Sequence, residues 1–203
     1  MKYFLLPLFV LALSLSSANG QLKTPEEFLG YPLGTKFTPH SKVLSYVTHL
    51  STSSNNLKLI NYGKSYEGRS LVAAVVSSAD NIARLEQIRR NNLKLSRAVE
   101  TGPTSEKAPA ILWLSYNVHG NEASSTETSM RMLYDLTGKG DKRITDWLKN
   151  TVVIIDPCLN PDGRERYINY FNEVSGDKPN PDPQAREHTE PWPGGRYNHY
   201  YFD

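Results

Sequence analysis

Cysteine is almost missing from this chain. Cys158 stands alone among 203 residues, so no internal disulfide holds the fold and a disulfide-stapled miniprotein is excluded. Excess charge of either sign is missing too. Lys and Arg number 23 against 21 Asp and Glu, a formal net of +2, which leaves no electrostatic case for nucleic acid as a partner. A membrane-spanning helix needs about 20 apolar residues, whereas the run from Phe4 to Leu13 has ten and Pro7 interrupts it. No internal repeat or low-complexity tract is present, and the composition fits no collagen-like, coiled-coil or disordered class. With 38% hydrophobic residues, what remains is one domain of ordinary size with its own core.

The first twenty residues read as a segment outside that domain. Lys2 gives a positive start, Phe4 to Leu13 an apolar stretch, and Ser14 to Gly20 a small, polar end. This is the layout of a secretory signal peptide, with cleavage expected after Ala18 or Gly20. A secreted or periplasmic location follows, with no stable membrane anchor; no Cys follows the run to carry a lipid. Residues 21–36 read as an N-terminal extension, and 37–203 as the N-terminal portion of a domain, truncated at its end.

Thr38-Pro39 reads as a helix start, Thr38 being the N-cap, with Val43, Leu44, Val47 and Leu50 at helical spacing. Leu57–Tyr62 and Leu71–Val76 read as short strands, with Gly63 and Gly68 marking the turn region between them. Asp80 is placed to cap a helix carrying Ile82, Leu85 and Ile88. Ala110–Tyr116 is an almost continuous apolar run, the pattern of a strand buried on both faces. A helix from about Glu122 to Leu136, a shorter one from Asp141 to Leu148, and a buried strand at Thr151–Ile155 complete a crossover unit. The fold class expected is α/β, a central mixed and mostly parallel sheet flanked by helices. Residues 175–195 carry five prolines, too long a run for a passive connection, and read as an ordered wall of a site. His199–Phe202 reads as the start of a further strand, and its abrupt end at Asp203 suggests a chain cut inside a sheet. Cys158, beside the second buried strand, reads as a buried thiol.

Chemistry concentrates after the first buried strand. In open α/β sheets ligands bind beyond the carboxyl ends of strands, and there stand His119-Gly120-Asn121-Glu122. An imidazole and a carboxylate three residues apart across a strand-to-helix turn can converge on one point. Two His and one Glu are a common zinc donor set, with the fourth position left to water. The bare His-x-x-Glu spacing fits equally a loop His and a first-turn Glu favoured by the helix dipole.

Three motifs together resemble the zinc carboxypeptidases of the M14 family. Gly63-Lys64-Ser65-Tyr66-Glu67-Gly68-Arg69 resembles its Gly-x-Ser-x-Glu-Gly-Arg stretch. His119 and Glu122 look like its ligand pair, and Asn160-Pro161-Asp162-Gly163 matches its Asn-Pro-Asp-Gly element. The resemblance implies one Zn2+ per domain, held by His119, Glu122 and a second His further along. It also implies a late Glu as general base on a zinc-activated water, and an Arg that polarises the scissile carbonyl. Arg196, in Gly194-Gly195-Arg196, stands where that catalytic and substrate-binding Arg is expected, with Arg69, Arg164, Arg166 and Arg186 as nearby alternatives. Glu67 and Asp162 read as structural.

Departures from the family pattern matter as much. Its Asn-Arg pair, third zinc ligand and late Glu are not among these residues, and are expected beyond residue 203. His188 and His199 precede the Asn-Arg position and are not assigned as ligands. Asn121 resembles the regulatory and bacterial branches rather than the digestive one, which has Arg there. The activity expected is hydrolysis of peptide bonds near a C-terminus of a peptide or protein substrate by the full-length protein, residues 1–203 alone being inactive. A zinc-dependent amide deacylase or cell-wall peptide amidase, or a non-catalytic secreted binding domain, stays open on the same scaffold. The C-terminal preference and the oligomeric state are not readable.

Overall fold

A computed structural model of the chain describes residues 21–97, 102–103, 108–138 and 140–202. The expected signal peptide, Asp203 and part of the 100–108 loop lie outside the described residues.

Helix α1 (Pro25–Leu29) is five residues long, yet Thr24 and Glu27 cap it reciprocally and Pro25 sits at its first position. It lays Leu29 into the core and Phe28 against Tyr46 and His49. Helix α2 (His40–Ser53) starts one residue after the expected Pro39. Thr38 does not cap it, because its amide and hydroxyl both donate to the buried carboxylate of Glu127. A stronger acceptor from elsewhere in the fold outbids the local cap.

Strands β1 (Leu57–Lys64) and β2 (Ser70–Val76) form an antiparallel hairpin. Gly63 lies at the end of β1 where the register shifts, and Gly68 takes the left-handed conformation the turn requires. Two short helices follow, α3 (Ala79–Ala83) and α4 (Leu85–Leu95). Ser78 rather than Asp80 caps the first, because its hydroxyl is the one in reach of the Asn81 amide. Strand β3 (Ala110–Ser115), helices α5 (Ser124–Thr137) and α6 (Lys142–Leu148), and strand β4 (Thr151–Asp156) make the expected crossover unit. Asp141 caps α6. Helix α7 (Pro161–Val174) then starts on the Asn160-Pro161-Asp162-Gly163 element, capped by the Asn160 side chain.

The sheet is mixed and flanked by helices, with strand order β1-β2-β4-β3. As expected of a mixed sheet, both kinds of pairing occur among the described residues: β3·β4 is parallel, and β1·β2 and β2·β4 are antiparallel. The hairpin explains half of this, since a short turn can join only antiparallel strands. Alternation along the strands separates two cores. Ala74, Val76, Val153 and Ile155 face α2 and α5, meeting Val43, Tyr46, Val47, Leu50, Met130 and Leu133, while Val75 and Val152 face Ile88 of α4. Truncating a buried leucine such as Leu133 removes about 2 to 5 kcal/mol.

Two further expectations are corrected. β3 is the outer strand of the four, and Ile111, Leu112 and Trp113 are 38%, 48% and 62% exposed instead of buried on both faces. With β4 on one side and no strand on the other among the described residues, the run has half the cover its composition suits. Residues 199–202 form turn and coil, not strand. The Asn198 side chain accepts from the amides of Tyr200 and Phe202 and curls the backbone back on itself. The proline-rich run is ordered against α7 through a 3-10 turn at Arg186–His188, whose Arg186 carbonyl accepts from Tyr170. Cys158 is buried, as expected, and burial pushes its thiol up to about 12.

Candidate metal centre

Parallel pairing of β3 and β4 sets their carboxyl ends side by side, and the loops beyond them are laced together. Tyr116 donates to the Asp156 carbonyl at 2.9 Å, Leu159 to Tyr116 at 2.9 Å, and Asn160 to Asn117 at 3.1 Å. Asn117 holds the turn. It takes a left-handed backbone (φ 56), a conformation Asn tolerates better than most residues. Its buried side-chain amide donates to the carbonyls of His119 and Gly120, at 2.6 and 3.1 Å, and accepts from Thr126.

This turn brings the expected pair together. His119 Nδ1 stands 2.9 Å from Glu122 Oε1. Arg196 arrives from 77 residues away, with Nη2 at 3.3 Å from His119 Nε2 and Nη1 at 4.0 Å from Glu122 Oε1. The contacts are mutually consistent when Nδ1 carries the imidazole proton toward the carboxylate and Nε2 accepts from the guanidinium. All three side chains keep solvent access, at 27%, 53% and 37% exposure for His119, Glu122 and Arg196. A cavity of about 370 Å3, walled by Tyr66, Leu71, Val118, Leu159 and Phe202, opens onto His119. A roomier cleft of about 550 Å3, at Tyr31, Phe37 and Phe171, contains none of these groups.

The donor chemistry suits zinc, which takes imidazole nitrogen and carboxylate oxygen. Two donors bound about 2.1 Å from a tetrahedral ion stand about 3.4 Å apart, so the observed 2.9 Å needs only a small side-chain adjustment. Among the described residues no group of three or more His, Cys, Asp or Glu is gathered to hold an ion. His199 lines the same cavity but stacks on Tyr66, with Nδ1 3.7 Å from Glu67, and His188 is tied to the Asn180 carbonyl.

The alternative arginines are engaged elsewhere. Arg164 is wholly buried, paired with Glu127 at 3.0 Å and donating to the Thr38 carbonyl. Arg69 bridges Glu67 and Asp162, Arg166 pairs with Glu67, and Arg186 belongs to the 3-10 turn. Glu67 and Asp162 are both held within the fold, Glu67 by Arg69 and Arg166 and Asp162 by Arg69, Ser65 and the Glu67 amide. Burial alone would raise the Asp162 carboxyl, but hydrogen bonds from Ser65, Arg69 and the Glu67 amide outweigh it and hold it below the usual range.

One feature of the site escaped the sequence reading. Gly120, Gly163 and Gly195, one from each segment around the centre, meet backbone to backbone. A Cβ on Gly120 would lie 2.0 Å from the Gly195 carbonyl oxygen and 2.2 Å from the Gly163 carbonyl carbon. A Cβ on Gly163 would lie 2.5 Å from that same oxygen, and one on Gly195 2.4 Å from the Tyr167 Cβ. The Gly120 amide and the Asn160 side chain both donate to the Arg196 carbonyl, at 3.1 and 3.3 Å. The glycines themselves were visible in the sequence, but not that they touch.

Comparison with known proteins agrees with this architecture. The thrombin-activatable fibrinolysis inhibitor superposes over 73% of this chain and 30% of its own, at 16% identity and a TM-score of 0.50. Carboxypeptidase A from Helicoverpa armigera aligns over 64% of this chain and 26% of its own, at 19% identity and a TM-score of 0.47. A metallo-carboxypeptidase from Burkholderia cenocepacia aligns over 62% and 26%, at 19% identity and a TM-score of 0.41. The chain thus spans less than a third of each, and at 16% identity the likeness to the first is one of fold. No curated protein matches the chain by sequence. The sequence profile of the M14 peptidases, the zinc carboxypeptidases, matches residues 43–200, and the chain belongs to that family.

Proposed function

We propose that the protein is a secreted, zinc-dependent carboxypeptidase that hydrolyses peptide bonds near a C-terminus, with His119 and Glu122 as two zinc ligands and Arg196 facing the scissile carbonyl. The observation that carries the reading is the convergence of these three side chains at the carboxyl end of a strand. The third ligand, a His, and the general-base Glu come from outside residues 21–202 in this reading, and residues 1–20 direct export. Zinc, when bound, lowers the pKa of a water toward neutrality and polarises the carbonyl.

The chain's own residues prepare for this. Glu122 supplies a carboxylate oxygen on the Nδ1 side of His119. Were His119 to hold the ion through Nδ1, its proton would sit on Nε2. Nε2 would then no longer accept from Arg196, and the guanidinium would be left to face the substrate carbonyl, where developing negative charge outbids a neutral imidazole.

The test is metal analysis and peptide hydrolysis by the full-length protein. His119→Ala and Glu122→Ala remove most bound zinc and activity while the far-UV spectrum is kept. Stoichiometric zinc in both variants would overturn the assignment. Arg196→Ala retains zinc but lowers kcat by about 10² or more with a modest change in KM; an unchanged kcat removes its role.

A further inference from the structure

We propose that Arg166 is a positioning residue that fixes Arg196 against the His119–Glu122 pair, an inference that rests on the reading of Arg196 given above. One face of α7 is the bed on which residues 195–198 lie. Gly163 leaves the room: a Cβ there would meet the carbonyl oxygens of Tyr197 and Gly195 at 2.4 and 2.5 Å. One turn on, Tyr167 presses against Gly195. Between them Arg166 sends Nη2 to the carbonyls of Tyr197 and Asn198, at 2.8 and 3.1 Å, and Nη1 to Glu67 at 2.7 Å.

Arg166 therefore takes up the two carbonyls that follow Arg196. The Arg196 carbonyl is already held by Gly120 and Asn160. Three consecutive carbonyls are thus fixed, and the Arg196 side chain is delivered to His119. Glu67 anchors the device. It lies in the turn between β1 and β2, shares its other oxygen with Arg69, and through Arg69 reaches Asp162 on α7. The guanidinium fork suits this task, since one planar cation serves a carboxylate and two carbonyls at once, which an ammonium on a flexible stem does not. Arg166 does not line the cavity at His119, so it acts through Arg196.

Amide hydrogen exchange on the full-length protein tests this without any need for catalysis. The Gly120 amide is the reporter, because its acceptor is the Arg196 carbonyl. Arg166→Gln speeds exchange at Gly120 and across 196–202, while amides in β2 and β4 keep wild-type protection. Arg166→Lys, which keeps the charge and part of the bonding, falls between. In the zinc-loaded protein the same variants lower kcat for peptide hydrolysis by about 10-fold to 10²-fold, the scale of a small misplacement, with KM little changed. Unchanged protection at Gly120 and 196–202 in both variants overturns the proposal, as does faster exchange with wild-type kcat. If Arg166→Gln loosens the segment but the wild-type protein hydrolyses no peptide, the clamp stands and the proposed function fails. Global loss of protection in Arg166→Gln moves the decision to Arg166→Lys.

Discussion

Substituting Gly120 with alanine adds one methyl group at the point where three segments meet. Its Cβ lies 2.0 Å from the Gly195 carbonyl oxygen, 2.2 Å from the Gly163 carbonyl carbon and 2.4 Å from the Arg164 amide nitrogen. All three are backbone atoms, so no rotamer change relieves the clash. Ordinary contact begins at 3.4 Å, so the Gly195 carbonyl has to retreat by about 1.4 Å from where it stands. That carbonyl precedes Arg196, whose own carbonyl accepts from the Gly120 amide. The retreat therefore breaks the junction and moves the guanidinium off His119 together.

Overpacking of one methyl costs about 1 to 3 kcal/mol where side chains can adjust, and the rigid partners here put Gly120→Ala at the upper end or above. With a urea m-value of about 2 to 3 kcal/mol/M for a domain of this size, the midpoint falls by roughly 1 M. The kcat for peptide hydrolysis falls by about 10² from the displacement of Arg196. Gly140→Ala is the control, since nothing lies within 4 Å of its added Cβ and no left-handed backbone is needed there; it leaves both quantities unchanged or adds a few tenths of a kcal/mol. A urea midpoint for Gly120→Ala equal to that of Gly140→Ala would refute the junction.

Glu127→Ala strips Arg164 of its carboxylate and the Thr38 amide and hydroxyl of their acceptor, all buried; the expected loss is about 3 to 5 kcal/mol, and a loss under about 1 kcal/mol in denaturant titration sinks this. Burial holds His40 below its ordinary value, and Arg164 and Arg69 add to that against the Ser70 carbonyl and Glu165. Its folded value lies below its unfolded one, so the contribution of neutral His40 is whole above about pH 6.5 and drains as pH falls below it; His40→Gln flattens stability against pH in that range, and an unaltered slope contradicts this. Cys158, buried with its thiol pushed up to about 12, is inert to thiol reagents in the native protein and reacts only on unfolding; fast labelling without denaturant contradicts this.

What was legible in the sequence was local. The period of α2 and the strand character of β2 are set by neighbours within a turn, and both were read correctly. Helix α7 was missed although Asn160-Pro161 is a start signal, because its first turn carries charge and its apolar residues Ile168 and Phe171 come late. The capping box of α1 was equally visible and overlooked. Thr38 was misread because its partner, Glu127, is 89 residues away. The burial of β3 was misjudged because an apolar run reports a strand's composition and not its neighbours.

The same division runs through the site. The two candidate ligands sit on one turn and owe their meeting to Asn117, a residue within five positions of both. Arg196 owes its place to contacts spanning 31 to 77 residues, made largely by backbone atoms on glycines and carbonyls. Such contacts have no side-chain identity to read beyond the glycine itself. They also have no rotamers to relax through, so they fix position more rigidly than side-chain packing can. A site built this way separates its parts physically: the proposed ligand pair, His119 and Glu122, is set by a local turn and can be lost by one substitution there, while Arg196 is set by the junction. Changes at Gly163, Gly195 or Arg166 are therefore expected to lower kcat while leaving zinc in place, and changes at His119 or Glu122 to lose the zinc while leaving the junction closed. A variant of the junction that loses zinc in proportion to activity would show that the two parts are one.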